Sequence, residues 1–264
     1  AVGWPIPVGG SQAIPDALAA DLRAHGGELV CGEEVTTPPS GVVLYDIAPT
    51  ALLRIYGDRL PARYAKTLRR YRYGPGVAKV DFVLSDEIPW RDARLAQAPT
   101  LHLGGDRKTM AFAEDEIAQG RHPDWPMVLA ALPHLADPTR VDAQGRRPLW
   151  TYAHVPNGYT GDATEAIIAQ IERFAPGFRE RIVGTAVCST TEMSRYNANF
   201  VGGDINTGSK DPLQLVFGPR ITLQPYDLGV PGMYICSAAT PPGPAAHGMC
   251  GFHAATRALG RLGR

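Results

Sequence analysis

"YICSAATPPGPAAHGMCGFHAATRAL", residues 234–259, runs from an apolar strand into a turn rich in proline and glycine, then straight into a helix of small residues. Gly243, Gly248 and Gly251 allow close backbone approach, because glycine has no Cβ and tolerates positive φ. The N–H groups of a helix starting near Gly248 lack intrahelical acceptors, and the helix dipole favours negative charge there. One reading is a seat for an electron-rich group such as a reduced flavin, whose ring carries negative charge near N1 and O2. The other is a glycine-punctuated core helix packed on a sheet. Both make the stretch one end of an α/β layer.

The rest of the chain supplies partners for that layer. Ser11 is placed to cap a helix running to about His25, with Ile14, Ala17, Leu18 and Leu22 on one apolar face. Gly26-Gly27 ends it. Glu28 to Cys31 reads as a short strand and Val42 to Ile47 as a buried one, followed by a helix from Pro49 to Tyr56. Ala78 to Leu84 alternates as a half-buried strand does. Thr100 to Leu103, Leu149 to Val155 and residues 181–190 are further strands, and Met233 to Ser237 rejoins the first lobe. Glu114 to Ala118 and Met127 to Ala131 read as helix pieces. Ala163 to Phe174 is a helix with Ile167, Ile168, Ile171 and Phe174 on one side, stopped by Pro176-Gly177. The pattern predicts a mixed α/β (α+β) fold of two lobes.

Composition narrows the function classes. The 264 residues suffice for one large core or two small ones, and the formal net charge is zero. No global field favours nucleic acid. The densest basic run, "RYAKTLRRYR" (63–72), reads as a solvated face or a phosphate-binding one. The four cysteines, Cys31, Cys188, Cys236 and Cys250, form no CxxC pair, which fits a reduced, cytoplasmic setting. No run of about 20 apolar residues predicts a transmembrane segment. The opening "AVGWPIPVGG" begins in mid-phrase, as a fragment or a processed chain would.

Catalytic motifs are mostly missing. The seven histidines have no metal-ligand spacing, so no metal site is expected. GxSxG, Walker and GxGxxG patterns are all absent. "VGGDINTG" (201–208) is either a ligand loop or a plain hairpin. In "PLWTYAHVP" (148–156), Trp150, Tyr152 and His154 share one face of a strand. That face lines an aromatic substrate pocket or belongs to the core with its polar tips outward.

Taken in order, "WPIPVGGSQAIPDALAADLRAHGGELVCGEEV", "YDIAPTALLRI", "GVAKVDFVLSDEIPW", "HLGG", "LWTYAHVP", "IERFAPGFRERI", "NANFVGGDI" and "GMYICSAATPPGPAAHGMCGFHAA" resemble the phytoene dehydrogenase-related, FAD-dependent oxidoreductases. These are relatives of the carotenoid desaturases and, more distantly, of the amine oxidases. The resemblance spans nearly the whole chain. It implies a discontinuous FAD-binding lobe, residues 1–57 and 226–264, around an inserted mixed-sheet substrate lobe, residues 58–225. It implies backbone contact with the adenine at Val35. Cys236 and Ser237 match the strand passing the ribityl and pyrophosphate, and Gly243, Gly248, Met249 and Gly251 match the turn beside the flavin ring. The implied reaction is hydride abstraction from a hydrophobic substrate, or its isomerisation, with Tyr152 and His154 as candidates on the substrate face. A hydrophobic substrate implies contact at a membrane surface, although no basic amphipathic helix supplies an anchor.

Two departures bear on this. The family's opening strand, GxGxxG turn and helix are missing, and these hold the pyrophosphate. The usual glycine run after "PPG" is Pro244, Ala245, Ala246 here, which removes a donor and restricts φ. The implied partners are therefore a hydrophobic small molecule and either a nucleotide-binding N-terminal half or a second copy. The competing readings are a flavin-free remnant that serves as a binding or interaction module, and a carrier of hydrophobic ligands.

Overall fold

Strands β1 (Val43–Tyr45) and β7 (Met233–Ile235), from the two ends of one unit, pair in parallel, with Tyr45 opposite Ile235. The computed structural model describes residues 5–263. Between these strands the chain forms α2 (Ala51–Tyr56), α3 (Ala62–Arg69), β2 (Gly76–Leu84), β3 (Thr100–Leu103), α4 (Arg107–Ala118), β4 (Val128–Ala131), β5 (Arg147–Val155), α5 (Thr164–Glu172), β6 (Ile182–Cys188), α6 (Thr190–Tyr196) and α7 (Pro212–Phe217). Helices α1 (Ala13–Ala24) and α8 (Met249–Arg261) lie towards the two termini. The five middle strands make one antiparallel sheet in the order β3-β4-β5-β2-β6. The expected mixed α/β fold is the one observed.

The chain divides into two units, residues up to Thr36 and residues from Thr37 onward. The first unit is built on α1. Its end follows the Gly26-Gly27 expectation: Gly27 N–H donates to the Leu22 carbonyl and Gly26 N–H to that of Arg23, while Gly26 takes φ +79°. This double bond satisfies two orphan carbonyls of the last turn. Its start differs, because the N-cap is Gln12 and no side chain caps it, so Ser11 does not. The apolar face of Ile14, Ala17, Leu18 and Leu22 is exposed. Glu28 to Cys31 forms no strand.

The second unit has two cores. One lies against the five-stranded sheet. Strand β2 alternates as expected, sending Val80, Phe82 and Leu84 inward. Phe82 meets Phe178 edge to face at 5.6 Å. Helix α5 adds Ile167, Ile168 and Ile171, each burial contributing about 2 kcal/mol. The helix is tied to its neighbours by Gln170, which is fully buried and donates to the carbonyls of Leu103 and Pro126 at 3.3 and 2.7 Å. The second core joins β1 and β7 to α2 and α3 through Tyr45, Leu52, Ile55, Leu68, Leu228 and Ile235.

Two expectations need correction here. Met127 to Ala131 is not a helix piece but β4, paired on one side with β3 and on the other with β5. The buried strand over Val42 to Ile47 is only three residues long, with Val42 and Leu44 part-exposed. The piece over Glu114 to Ala118 is the last part of a longer helix, α4. Among the described residues, no helix is long and apolar enough to cross a membrane.

Candidate functional site

Parallel strands leave their carboxyl ends on the same side, where open α/β layers hold ligands. Asp46 follows β1 and Cys236 follows β7, and the Cys236 N–H donates to the Tyr45 carbonyl at 2.9 Å. The two residues face a cavity of about 280 Å³. The opposite wall is the turn and the start of α8: Gly243, His247, Gly248, Met249 and Gly251.

The turn is held by its own hydrogen bonds. The Ser237 carbonyl accepts from the Thr240 N–H and hydroxyl at 2.9 and 2.7 Å, and Gly243 N–H donates to the Thr240 carbonyl. The Cys250 thiol donates to the Thr240 carbonyl at 3.4 Å. Gly243 takes φ +101° and Gly248 φ +64°. A Cβ at Gly248 or Gly251 would meet no atom within 4 Å, so this wall is open. Gly248 is the N-cap of α8 and has no side chain to cap with. His247 takes over that role, its Nδ1 accepting from the Met249 N–H at 2.9 Å. The next N–H groups, of Cys250 and Gly251, have no intrahelical acceptor.

Burial shifts both titratable side chains at the strand ends towards neutrality. The Asp46 carboxyl is raised above its ordinary range by desolvation. The Cys236 thiol is pushed up to about 12, by burial first and then by Asp46 and Cys250. A thiol this hard to ionise is a poor nucleophile.

Five of the residues picked from the sequence, Cys236, Gly243, Gly248, Met249 and Gly251, thus line one cavity. Ser237 lies just behind it, 1% exposed, with its hydroxyl lacking a hydrogen-bond partner. Val35 belongs to the first unit and is half exposed there. Asp46 and His247 escaped the sequence reading. The available signal was that Asp46 directly follows an apolar run, as Cys236 does.

The "VGGDINTG" stretch is no plain hairpin. The Asp204 carboxylate is fully buried and accepts from the N–H groups of Gly74, Asn206 and Gly208 at 2.7, 2.8 and 2.7 Å. Asn206, Thr207 and Gly208 share a narrow cleft with Ala238, Thr240 and Gly243 of the terminal turn.

Trp150, Tyr152 and His154 do share one half-buried face of β5, while Leu149, Thr151, Ala153 and Val155 point into the core. Trp150 and Tyr152 meet edge to face at 5.4 Å, and Tyr152 stacks on His154 at 6.0 Å. His154 Nδ1 donates to the Glu114 carboxylate at 2.8 Å. Burial and Glu114 raise the Tyr152 phenol. Lys79, on the neighbouring strand, pairs with Asp81 and lies over the Trp150 ring. Neither Tyr152 nor His154 lines the cavity at the start of α8. Among the described residues, no cluster of His, Cys, Asp and Glu has a metal-binding arrangement.

No protein-family model matches the chain. Over 296 aligned residues it is 23% identical to pyridine nucleotide-disulfide oxidoreductase domain-containing protein 2 of Rattus norvegicus, covering 96% of this chain and 50% of that protein. Over 199 residues it is 27% identical to uncharacterized proteins of Mycobacterium tuberculosis and Mycobacterium bovis, covering 64% of this chain and 35% of theirs. The chain thus spans between a third and a half of the curated relatives it matches. The similarity is to an oxidoreductase of the pyridine nucleotide-disulfide type, and it carries no substrate and no finer subtype.

Proposed function

We propose that this chain is the flavin-ring and substrate portion of an FAD-dependent oxidoreductase. The observation that carries the reading is the cavity between the ends of β1 and β7 and the start of α8, with its open glycine wall. Its residues fit part of a flavin: the N–H groups of Cys250 and Gly251 suit an electron-rich ring edge, and Gly248 and Gly251 leave room for close approach. Similarity to the rat oxidoreductase domain protein supports the class. The finer reading, a phytoene dehydrogenase-like enzyme acting on a hydrophobic substrate, rests on the ordered motifs alone. So does the division into a FAD-binding lobe, 1–57 and 226–264, and a substrate lobe, 58–225.

When bound, a flavin accepts a hydride equivalent, which lets a C–H bond become part of a double bond. The chain's own residues position and screen. The terminal turn places donors, Cys236 stays a neutral thiol, and the Asp46 side chain stands at the floor of the cavity. On the substrate face, Glu114 engages His154 Nδ1 and leaves Nε2 free to take or give a proton. In this reading the pyrophosphate is held by a nucleotide-binding segment, supplied by a longer chain or a partner.

A second reading, a flavin-free interaction module, is favoured by Ala245, which lines the cavity where the resemblance implies a glycine. Titrating the purified chain with FAD separates the two. A protein-bound flavin band near roughly 450 nm that Gly248→Val abolishes supports the enzyme. No bound flavin at excess FAD overturns flavin binding by this chain alone; failure of riboflavin, which has no pyrophosphate to hold, to bind as well overturns the flavin-ring seat and leaves the module.

A further inference from the structure

From Arg54 to Arg72 the chain holds seven basic residues and one acidic one, Asp58, although its net charge is zero, so positive charge is concentrated here. Helix α3 sorts that charge by face. Tyr64, Ala65 and Leu68 are buried in the core with α2, while Arg63, Lys66 and Arg70 stand exposed on the opposite side. None of these three cations has an ion-pair partner among the described residues. Asp211, which lines the cavity between α3 and α7, is neutralised by Arg72 at 2.7 Å.

Beside this basic face lies an exposed apolar one. In α7, Leu213, Val216 and Phe217 are spaced i, i+3 and i+4 and share one side of the helix. Ile221 and Leu223 follow. Leu213, Val216, Ile221 and Leu223 are each more than half exposed, Leu223 at 95%. Exposed apolar residues are ordinarily scattered, and a run of them in one short segment marks an interaction surface. The two faces adjoin: Arg70, Leu213, Phe217 and Ile221 line one cavity, and Arg63 and Ile221 line the next. The expectation that no basic amphipathic element supplies an anchor is corrected here. Its cations sit on α3 and its apolar residues on α7 and the segment after it, far apart in sequence, so no single window shows both.

We propose that this surface seats the protein on an anionic lipid bilayer. Leu213, Phe217, Ile221 and Leu223 enter the boundary between headgroups and acyl chains, and Arg63, Lys66 and Arg70 lie against the headgroups. The apolar residues decide between anionic partners. Nucleic acid would match the cations but leave the leucines and Phe217 in water, whereas a bilayer boundary takes both. None of these residues lines the cavity at the start of α8.

The test is co-sedimentation of the full chain with sucrose-loaded vesicles of phosphatidylcholine, with and without phosphatidylserine at about one third of the lipid. Binding should need the anionic lipid and weaken in high salt. A Lys66→Gln, Arg70→Gln double variant, at exposed positions without ion pairs, should bind about thirtyfold more weakly, since each cation near such a surface is worth about fivefold. Leu223→Ser should weaken binding about tenfold with no loss of thermal stability. No co-sedimentation with the anionic vesicles overturns the proposal. Equal binding to phosphatidylcholine alone, or unchanged binding by the double variant, overturns the role of the basic face. Unchanged binding by Leu223→Ser, or preference for a double-stranded oligonucleotide over the vesicles, overturns lipid as the partner. A dimer in solution that Leu213→Ser dissolves makes the face a protein interface and overturns the bilayer as its occupant. No flavin enters the assay, so its outcome is independent of the FAD titration.

Discussion

Replacing Asp204 tests whether the "VGGDINTG" loop is held by one carboxylate. Its Oδ2 accepts from Gly74 N–H and Gly208 N–H, and its Oδ1 from Asn206 N–H, all at 2.7–2.8 Å. These bonds tie the loop to itself and to the chain entering β2. Hydrogen bonds to a charged group are worth about 1.5–3 kcal/mol each, and their sum is less than additive within one network. Asp204→Ala strands three buried donors and should destabilise the protein by about 3–5 kcal/mol. At roughly 2–4 °C per kcal/mol for a domain of this size, the melting temperature should fall by about 10 °C. Asp204→Asn should fall between the two: an amide oxygen at the Oδ2 position keeps two donors satisfied but turns an NH₂ towards the Asn206 N–H. Urea denaturation and differential scanning calorimetry read both variants. A loss under about 1 kcal/mol for Asp204→Ala, or an Asn variant worse than the Ala one, would refute the reasoning. The loop shares a cleft with the terminal turn, so FAD affinity should fall along with stability.

Gly203→Ala should cost more than about 2 kcal/mol, because its Cβ would lie 2.7 Å from that of Thr190 and its φ is +83°; thermal melting checks this. Gln170→Leu should destabilise by about 2–3 kcal/mol in urea, since it leaves the Leu103 and Pro126 carbonyls and Arg173 without their partner. At pH 8 iodoacetamide should label exposed Cys31 well before Cys236, as mass spectrometry of the peptides would show. The folded Cys236 thiol binds its proton more tightly than the unfolded one, so its contribution is complete below the ordinary thiol value of 9.0. It is lost as pH rises from there towards about 12, and denaturation midpoints should fall across that window.

The legible parts of the sequence were those where local pattern and tertiary setting agree. The isoleucines of α5 recur at helical spacing and face one sheet. The alternation in β2 has a core on one side only. Met127 to Ala131 misled because Met, Leu and Ala favour helices in isolation. Here two flanking strands supply ladder partners, and tertiary pairing overrides propensity. Glu28 to Cys31 has the opposite fault, a strand-like composition without a strand beside it. At the site, the glycines announced the turn through their own spacing. Asp46 gave no such sign, because its place opposite the turn depends on the register of β1 against β7, which no local window contains.

That pairing also sets an order of assembly. Roughly 190 residues separate β1 from β7, and closing a flexible loop of that length costs about 5 kcal/mol in chain entropy. Three ladder positions cannot offset this while the intervening chain is disordered. Once the five-stranded sheet has folded, Lys79 of β2 stands opposite Cys188 of β6, so roughly 75 residues remain to be closed and the entropy cost falls by about 1 kcal/mol. The bias favours forming the cavity after the sheet and opening it before the sheet, which hydrogen exchange at the Tyr45 and Cys236 amides would read. A substitution deep in the middle sheet, far from any candidate ligand, weakens the cavity by lengthening the loop that its strands must close.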